Sequence, residues 1–378
     1  MDFAFSPEHE QIRATVRRFS NTVLAPLVEA AEESEVFPRQ LWRQWGGLGL
    51  LGVRYPVADG GAGFDKVADC IVREETSRVC QSFAAAWSAH THVGLWPIWR
   101  VGTPEQKERC FRPGLRGERI SGFALSEPDA GSDVRGLKTR AEPAPGGWRL
   151  HGSKLYITNA PFADQLLLAA RTRPGPEAGA ISLFIVELPH PAIRIDKLKK
   201  EGIRASETGM VYLDDAFVPE SALLGGREGT YPLILETLSE NRVGVAANCL
   251  GMARAAFEAA RDYARQRTVR GAPIAHFQAI AHRLADMAVE IEAVRWLVYY
   301  GAWRVDQGTI DMATASKVKL LASEAAVRIS ESAIRIFGGA GIMREHPVGR
   351  IHRDALVYTI AEGTAEIQRN IIARALEL

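Results

Sequence analysis

The side chain in this sequence with the clearest capacity for acid–base chemistry is the carboxylate of Glu362. It lies within residues 357–370, VYTIAEGTAEIQRN, where Gly363 interrupts the backbone and Thr364 is placed to cap a following helix. An exposed glutamate at this point would only interact favourably with the helix dipole. In apolar surroundings, formed by residues such as Ile360, desolvation would raise its pKa, and the carboxylate could then act as a general base.

Two segments in the middle of the chain have the residue types of a ligand site. Residues 126–133, SEPDAGSD, combine two hydroxyls with a turn that can present backbone N–H groups to a polar or anionic ligand. Residues 154–160, KLYITNA, place Tyr156 and Thr158 two positions apart, which predicts an aromatic ring and a hydroxyl on one face of a strand. Such a pair suits a planar heteroaromatic ligand, while a surface turn and an ordinary β core are the alternatives.

Two glycine-rich segments have the composition of ligand-binding loops. Gly47-x-Gly49-x-x-Gly52 matches the dinucleotide fingerprint, but it follows the helical segment LWRQW rather than a strand, so we predict a helix end and a loop. Residues 336–341, IFGGAG, follow an apolar helix and are expected to end it, because paired glycines favour a left-handed C-cap. Close approach of a ligand to this backbone is the functional alternative.

The sequence predicts neither a metal site nor a disulfide framework. His90 and His92 could form a pair of metal ligands, but no third ligand stands nearby at a metal-site spacing, so two incidental histidines on a helix are the better interpretation. The cysteines are far apart and lack a C-x-x-C pair, which favours a reduced, cytoplasmic protein. They are Cys70, Cys80, Cys110 and Cys249.

Length and charge limit the classes of function. A chain of 378 residues with 47% hydrophobic content is long enough for two or three domains. Its 46 basic and 45 acidic side chains nearly cancel, so no overall field directs it to nucleic acid or to an anionic membrane. The N-terminus lacks the pattern of a signal peptide, and the longest apolar stretch, residues 243–253, is short of the roughly 20 residues that span a bilayer. We expect a soluble protein that binds neither nucleic acid nor membrane.

The secondary-structure pattern divides the chain into three parts that must position these residues. Apolar residues recur at helical spacing up to about residue 116, β-type runs between turn signals follow to residue 226, and long amphipathic stretches then return. This α, β, α order excludes a doubly wound α/β fold, in which strands and helices alternate. We predict domains at residues 1–117, 118–226 and 227–378.

Several of these segments together resemble the acyl-CoA dehydrogenase family of flavoproteins. SEPDAGSD, KLYITN, the RQR at residues 265–267, RIFGGAG and the terminal RDALVYTIAEGTAEIQR occur in the order and at the spacing of that family. The resemblance implies an α+β fold with an N-terminal helical domain, a middle β-barrel-like domain and a C-terminal four-helix bundle. It also implies a homotetramer or dimer, with FAD bound between the last two domains and a neighbouring subunit.

The resemblance also assigns site residues. Tyr156 stands where the family usually has a tryptophan stacked on the flavin, Thr158 matches the hydroxyl that bonds flavin N5, and Arg267 matches the arginine on the FAD pyrophosphate of the adjacent subunit. The implied FAD contacts are Phe123, Leu125, Ser126, Ser132, Tyr156, Thr158, Arg267, Gln278, Arg335, Gly338, Gly339, Thr364 and Glu366. The implied substrate contacts are Ser132, Arg242 and Gly363.

The implied reaction is α,β-dehydrogenation of an acyl thioester to a trans-2-enoyl thioester. Glu362 matches the base that removes the α-proton in the larger branch of the family, and the β-hydrogen leaves as hydride to the flavin. A second branch places its base at a position that aligns with Asn241, which cannot accept a proton, and Glu240 is displaced by one residue, or about 100° on a helix. Glu362 is therefore the predicted base. Electron-transferring flavoprotein is the acceptor that the family implies.

Some residues depart from the family pattern, so the resemblance does not determine the identity of the substrate. Ala361 replaces a common Tyr, Arg270 a usual Phe, and Arg335 a usual Gln. Asp129 replaces a Gly, as in relatives that oxidise substrates tethered to carrier proteins. The bulky residues Trp87, His90, His92 and Trp96 lie in the helix that would line the far end of the acyl pocket, which indicates a short or branched acyl group unless they serve core packing.

Three other functions are compatible with this pattern. The same chemistry could act on an acyl or aminoacyl group carried by an acyl carrier protein in a biosynthetic pathway. A flavoprotein oxidase or monooxygenase could use the same fold with oxygen. A non-catalytic binding protein is the third class, which is disfavoured because Glu362 is retained and the basic cluster at residues 198–204 is short.

Overall fold

A computed structural model describes residues 4–175 and 178–378. The N-terminal part is helical, and its first helix begins where Ser6 Oγ accepts a hydrogen bond from His9 N at 3.2 Å. Short π-helical turns lengthen several of these helices, including residues 89–94 after α5. The helices are α1 (Pro7–Phe19), α2 (Val28–Ser34), α3 (Gln40–Gly47), α4 (Lys66–Val79), α5 (Gln81–Ser88), α6 (Trp96–Val101), α7 (Pro104–Gln106) and α8 (Arg112–Leu115).

The middle part is a seven-stranded sheet in the order β1-β4-β2-β3-β7-β6, with β5 paired to β4. The β1–β4 and β2–β4 pairs are parallel, and the other pairs are antiparallel. Its inner face packs a core that includes Leu166, Leu168 and Phe184. The strands are β1 (Ser121–Ala124), β2 (Arg140–Ala144), β3 (Gly147–Thr158), β4 (Gln165–Arg171), β5 (Ile181–Glu187), β6 (Ile193–Leu198) and β7 (Thr208–Pro219).

The C-terminal part returns to helices and packs around its longest member. The helix α9 lies between α4 of the N-terminal part and α11, with small and apolar residues along its buried face. The elements are α9 (Tyr231–Gln266), β8 (Thr268–Val269), β9 (Ala272–Pro273), α10 (Gln278–Asp306), α11 (Met312–Phe337), α12 (Pro347–Ile360) and α13 (Ala365–Ala375). The α, β, α order is thus confirmed.

Two local predictions have different outcomes. The Gly47 motif is a helix end, as predicted, because α3 ends at Gly47 and a 3₁₀ turn follows at residues 50–52. The regular strand predicted for residues 154–160 is wrong in detail: the pairing of β3 with β7 shifts between Lys154 and Ile157, and Tyr156 there has φ +63°. This bulge breaks the two-residue alternation and leaves Tyr156 70% exposed.

Within residues 4–175 and 178–378, no helix combines the length and the apolar composition needed to cross a bilayer. In that same part of the chain, no three His, Cys, Asp or Glu side chains are grouped closely enough to hold a metal ion.

Candidate active site

Glu362 lies in a tight turn between two helices. The helix α12 ends at Ile360, α13 begins at Ala365, and Thr364 Oγ1 caps α13 by accepting the Ile367 N–H at 3.3 Å, as predicted. Glu362 has φ +59° and Gly363 has φ +88°. A left-handed glutamate is uncommon and persists only where its surroundings hold it, as often happens at functional sites.

Two side chains hold this turn through its backbone carbonyls. Lys319 Nζ of α11 donates to the Gly363 carbonyl oxygen at 2.8 Å. Gln368 Nε2 of α13 donates to the carbonyl oxygens of Glu362 and Gly363 at 3.2 and 2.9 Å. Because these carbonyls are bonded from two different helices, the backbone from which the Glu362 side chain projects is held in place.

Burial raises the pKa of Glu362, as the sequence predicts, but the neighbours responsible are different. Ile360, expected to bury it, is 66% exposed. Burial, the largest effect, raises the pKa, while hydrogen bonding by Asn241 and the charges of Arg242 and Lys319 lower it. Side chains of α9 and α11 therefore take part in setting this pKa, and Ile360 does not bury the carboxylate.

Unpartnered polar atoms surround this carboxylate. In the described part of the chain, Glu362 Oε2, Asn241 Oδ1, and Nε and Nη1 of Arg242 are buried without hydrogen-bond partners. Burial lowers the pKa of Arg242, and the Glu362 charge acts in the opposite direction. Buried polar groups are normally satisfied, so such a concentration indicates a site for a polar ligand. Glu240, the weaker base candidate, is instead paired with Arg54 at 2.6 Å.

The segment 126–133 is attached to β3 beside the bulge. Lys154 Nζ donates to Glu127 Oε1 at 2.8 Å and to the Leu125 carbonyl at 3.1 Å, and Leu155 N donates to the Ser126 carbonyl at 2.9 Å. These bonds place Ser126 close to Tyr156, the exposed aromatic ring on the bulge. Phe123 of β1 and Thr158 at the end of β3 belong to the same part of the sheet, whereas Ser132 lies on an exposed loop.

A second group of the predicted cofactor residues lies at the end of α11. Arg267 and Gly339 line a cavity of about 430 Å³ together with Tyr263 and Phe337, whose rings stack at 4.1 Å. Gly338 ends α11 with φ +60° and ψ −134°, a conformation that favours glycine, although it is not the left-handed helical cap predicted. A Cβ atom at Gly338 or Gly339 would meet nothing within 4 Å.

The remaining predicted site residues are dispersed. Gln278 begins α10, next to the 3₁₀ turn at residues 274–276 that borders this cavity. Arg335 is exposed and pairs with Glu331 of its own helix at 2.6 Å. Glu366 is exposed on the first turn of α13, and hydrogen bonds from the backbone and from Thr364 lower its pKa.

The bulky residues predicted at the end of the acyl pocket serve packing. Trp87 and Trp96 are buried in core clusters. His90 accepts the Ser121 N–H through Nδ1 and donates to the Gly114 carbonyl through Nε2, both at 3.0 Å, and burial lowers its pKa to about 4. His92 is bonded to Arg54 and to the Thr237 carbonyl. The histidines join structural elements.

Sequence reasoning missed Lys319, which stands in a helical stripe of buried residues. Ala315 and Ala322, four residues before and three after it, are both buried, and burial lowers the pKa of Lys319 to about 8. A lysine within an apolar stripe at helical spacing is the signal that could have identified it.

Comparison with known proteins gives matches to acyl-CoA dehydrogenases along nearly the whole chain. The family described as "Acyl-CoA dehydrogenase, N-terminal domain" matches residues 6–118, the corresponding middle domain matches residues 122–216, and the C-terminal domain matches residues 229–377. An acyl-CoA dehydrogenase of Bacillus subtilis (strain 168) is 40% identical over 370 residues, which cover 98% of each chain.

Two further relatives match nearly the whole length of this chain. The mitochondrial short-chain specific acyl-CoA dehydrogenase of Homo sapiens is 38% identical over 366 residues, 97% of this chain and 89% of that protein. The solved structure of butyryl-CoA dehydrogenase from Megasphaera elsdenii has 34% identity and a TM-score of 0.97, covering 100% of both chains.

Proposed function

The chain belongs to the acyl-CoA dehydrogenase family, and we propose that it oxidises a short acyl-CoA to the trans-2-enoyl-CoA with Glu362 as the base. It is thus an oxidoreductase acting on CH–CH donors, and its cofactor is FAD. The relatives named as short-chain specific and butyryl-CoA dehydrogenases support the short acyl group.

The residues present fit FAD. An exposed aromatic ring at Tyr156 offers a surface for a planar ring system, beside the attached loop at Ser126. The cavity at Arg267 and Gly339 combines a cation with backbone that side chains do not obstruct, as a pyrophosphate requires. When bound, FAD accepts the β-hydrogen of the substrate with its electron pair. Phe123, Leu125, Thr158, Gln278, Thr364 and Glu366 are proposed as further contacts.

Glu362 removes the α-proton in this proposal. Its unpartnered Oε2 is free to accept a proton, and the pKa raised by burial makes the carboxylate a stronger base than an exposed glutamate. An α-hydrogen of a thioester is weakly acidic, so donors must stabilise the charge that develops on the carbonyl oxygen. The backbone N–H of Glu362, fixed by the bonds to its turn, is the proposed protein donor. Arg242, Ser132 and Gly363 are proposed to contact the substrate.

A homotetramer or dimer is proposed, supported by an exposed apolar stripe on α10. Val289, Trp296, Tyr300 and Trp303 are 72%, 39%, 45% and 51% exposed. They are seven, four and three residues apart, so they lie on one side of the helix.

Electron-transferring flavoprotein is proposed as the electron acceptor. A cytoplasmic location is also proposed, and it is supported by four buried free cysteines among the described residues.

The Glu362 carboxylate beside Arg242 and Lys319, whose Oε2 is buried without a hydrogen-bond partner among the described residues, carries this proposal. It is tested by anaerobic titration of the purified FAD-bound protein with saturated acyl-CoAs, monitored by the visible flavin absorbance. We expect bleaching with formation of the enoyl-CoA. Bleaching only by acyl groups on a carrier protein would show that the substrate is carrier-bound and not an acyl-CoA. Absence of bleaching by both kinds of substrate would refute the proposal.

A further inference from the structure

The three parts of the chain meet at the β6–β7 loop, residues 199–207, which connects two strands of the sheet. Two backbone N–H groups of this loop donate to carboxylates that come from helices. Ile203 N donates to Asp354 Oδ1 of α12 at 2.6 Å. Ala205 N donates to Glu32 Oε1 of α2 at 3.3 Å. The loop is thereby attached to the C-terminal part and to the N-terminal part at points two residues apart.

Each of these two carboxylates has a second oxygen without a partner. Glu32 is 8% exposed and Asp354 is 0% exposed. Glu32 Oε2 and Asp354 Oδ2 form no hydrogen bond within residues 4–175 and 178–378. Two neighbouring buried carboxylates repel each other when both are charged, whereas one proton held between them removes a charge and gives both free oxygens a partner.

Cations lie near this pair, but in the described part of the chain none bonds to the free oxygens. Arg350 Nη1 is 3.9 Å from Asp354 Oδ2, which is beyond hydrogen-bond distance. Lys200 Nζ instead donates to the Ser206 carbonyl oxygen and to Thr208 Oγ1. The charged and titratable groups that act on the pair or on Lys200 are Glu35, Cys80, Lys197, Arg350 and Arg353.

The balance of these effects favours the protonated pair. Burial raises the pKa of Asp354 to about 7, and the charge of Glu32 acts in the same direction. The charges of Arg350 and Arg353 and the N–H of Ile203 lower this pKa without offsetting the burial. Burial also raises the pKa of the Cys80 thiol to about 12, so Cys80 adds no charge near neutral pH.

The loop is held against α12 in a strained conformation. Ile203 has φ +47°, which is rare for a β-branched residue. A Cβ atom at Gly202 would lie 2.7 Å from the Arg353 carbonyl oxygen, so the loop backbone lies directly on the helix. A strained backbone persists only where its contacts hold it. The bond from Ile203 N to Asp354 is one of these contacts, and its weakening favours release of the loop.

We propose that Glu32 and Asp354 share one proton and form a pH-sensitive latch that holds the β6–β7 loop to α2 and α12. Loss of the proton leaves two buried negative charges, and their repulsion favours the released loop. The helix α12 ends at Ile360, two residues before Glu362, so the latch also holds the helix that leads to the base. The latch is a property of the folded protein and does not depend on the proposed function.

Amide hydrogen exchange in the FAD-bound protein tests the latch. Peptides covering residues 199–207 are followed by mass spectrometry from pH 5 to pH 8, with correction for the intrinsic pH dependence of exchange. In the released loop both carboxyls are exposed and ionised, so opening liberates the shared proton and becomes easier as the pH rises to about 7. We expect protection to fall at least tenfold between pH 5 and pH 7 and to change little above pH 7. Protection that is independent of pH, or that increases with pH, would overturn the proposal.

Two variants locate the effect in the pair. Asp354→Asn keeps an acceptor for Ile203 N–H and replaces the shared proton by a permanent amide donor, so protection should change less than threefold between pH 5 and pH 7. Glu32→Gln should behave in the same way, and it provides a second test if the first variant does not fold. Glu33→Gln, at the exposed next position of α2, is the matched control and should retain the tenfold fall. A tenfold fall that persists in Asp354→Asn or in Glu32→Gln would contradict the shared proton.

Discussion

The Lys319 ammonium group lies 2.8 Å from the carbonyl oxygen of Gly363, the residue that follows the proposed base. A single lysine on α11 thereby has two effects. It fixes the turn that directs Glu362, and its charge lowers the pKa of that carboxyl against the stronger effect of burial. Lys319 thus contributes to both the position and the basicity of Glu362.

Replacement of Lys319 by methionine is expected to reduce kcat/KM by about 10- to 100-fold, since a hydrogen bond from a charged donor contributes roughly 1.5–3 kcal/mol. Because the lysine lowers the pKa of Glu362, its loss raises that pKa, and the acidic limb of the kcat/KM profile shifts to higher pH. Lys319→Arg, which keeps the charge, is the control. An acidic limb that stays in place would contradict the role of Lys319.

Arg267→Ala is expected to weaken FAD binding by about 10- to 100-fold, because it removes the cation from the cavity beside Gly339. Equilibrium dialysis of the apoprotein with FAD measures this. Arg265→Ala, an exposed arginine two residues earlier in the same segment, is the matched control and should change affinity by less than threefold. Similar losses in both variants would indicate a general charge effect.

Trp303→Glu is expected to dissociate the assembly toward the 41.4 kDa protomer, because it places a charge in the apolar stripe of α10. Sedimentation analysis of the holoprotein measures the mass. Val57→Glu, at a position 72% exposed on a different part of the surface, serves as control. An unchanged mass for Trp303→Glu, or a monomeric parent protein, would disprove an interface at this stripe.

Stability should fall as the pH decreases from about 6.5 to about 4, in part through His90. Burial lowers its folded-state pKa to about 4, below the unfolded value near 6.5, so protonation favours the unfolded chain. The effect is on the order of 3 kcal/mol, present in full above pH 6.5 and lost on acidification. Urea unfolding at several pH values measures it, and His90→Gln should flatten the dependence. An equally steep dependence in the variant would contradict this assignment.

The order of the three parts was predictable because it depends on local pattern. Residues around Val16 repeat at helical spacing, and the runs between residues 117 and 226 alternate with turn signals. The helix start at Thr364 was predictable for the same reason, because a cap acts on its own first turn. The bulge at Tyr156 could not be predicted, because a register shift depends on the partner strand β7.

The surroundings of the base could not be predicted from its neighbours in sequence. The sequence predicts an apolar pocket formed by residues such as Ile360, which is in fact exposed. The groups that control the pKa of Glu362 come from α9 and α11, far away along the chain.

Whether Glu362 is the base is decided by the anaerobic, single-turnover rate of flavin reduction by a saturating acyl-CoA. The rate is measured in Glu362→Gln and Glu240→Gln, each verified for full FAD content. We expect Glu362→Gln to lower this rate by about 10²- to 10⁴-fold, the range of general-base catalysis. Glu240→Gln, which loses the partner of Arg54 rather than the base, should stay within tenfold of the parent. Reduction at the parental rate by Glu362→Gln, or its loss in Glu240→Gln, would contradict the assignment of Glu362 as the base.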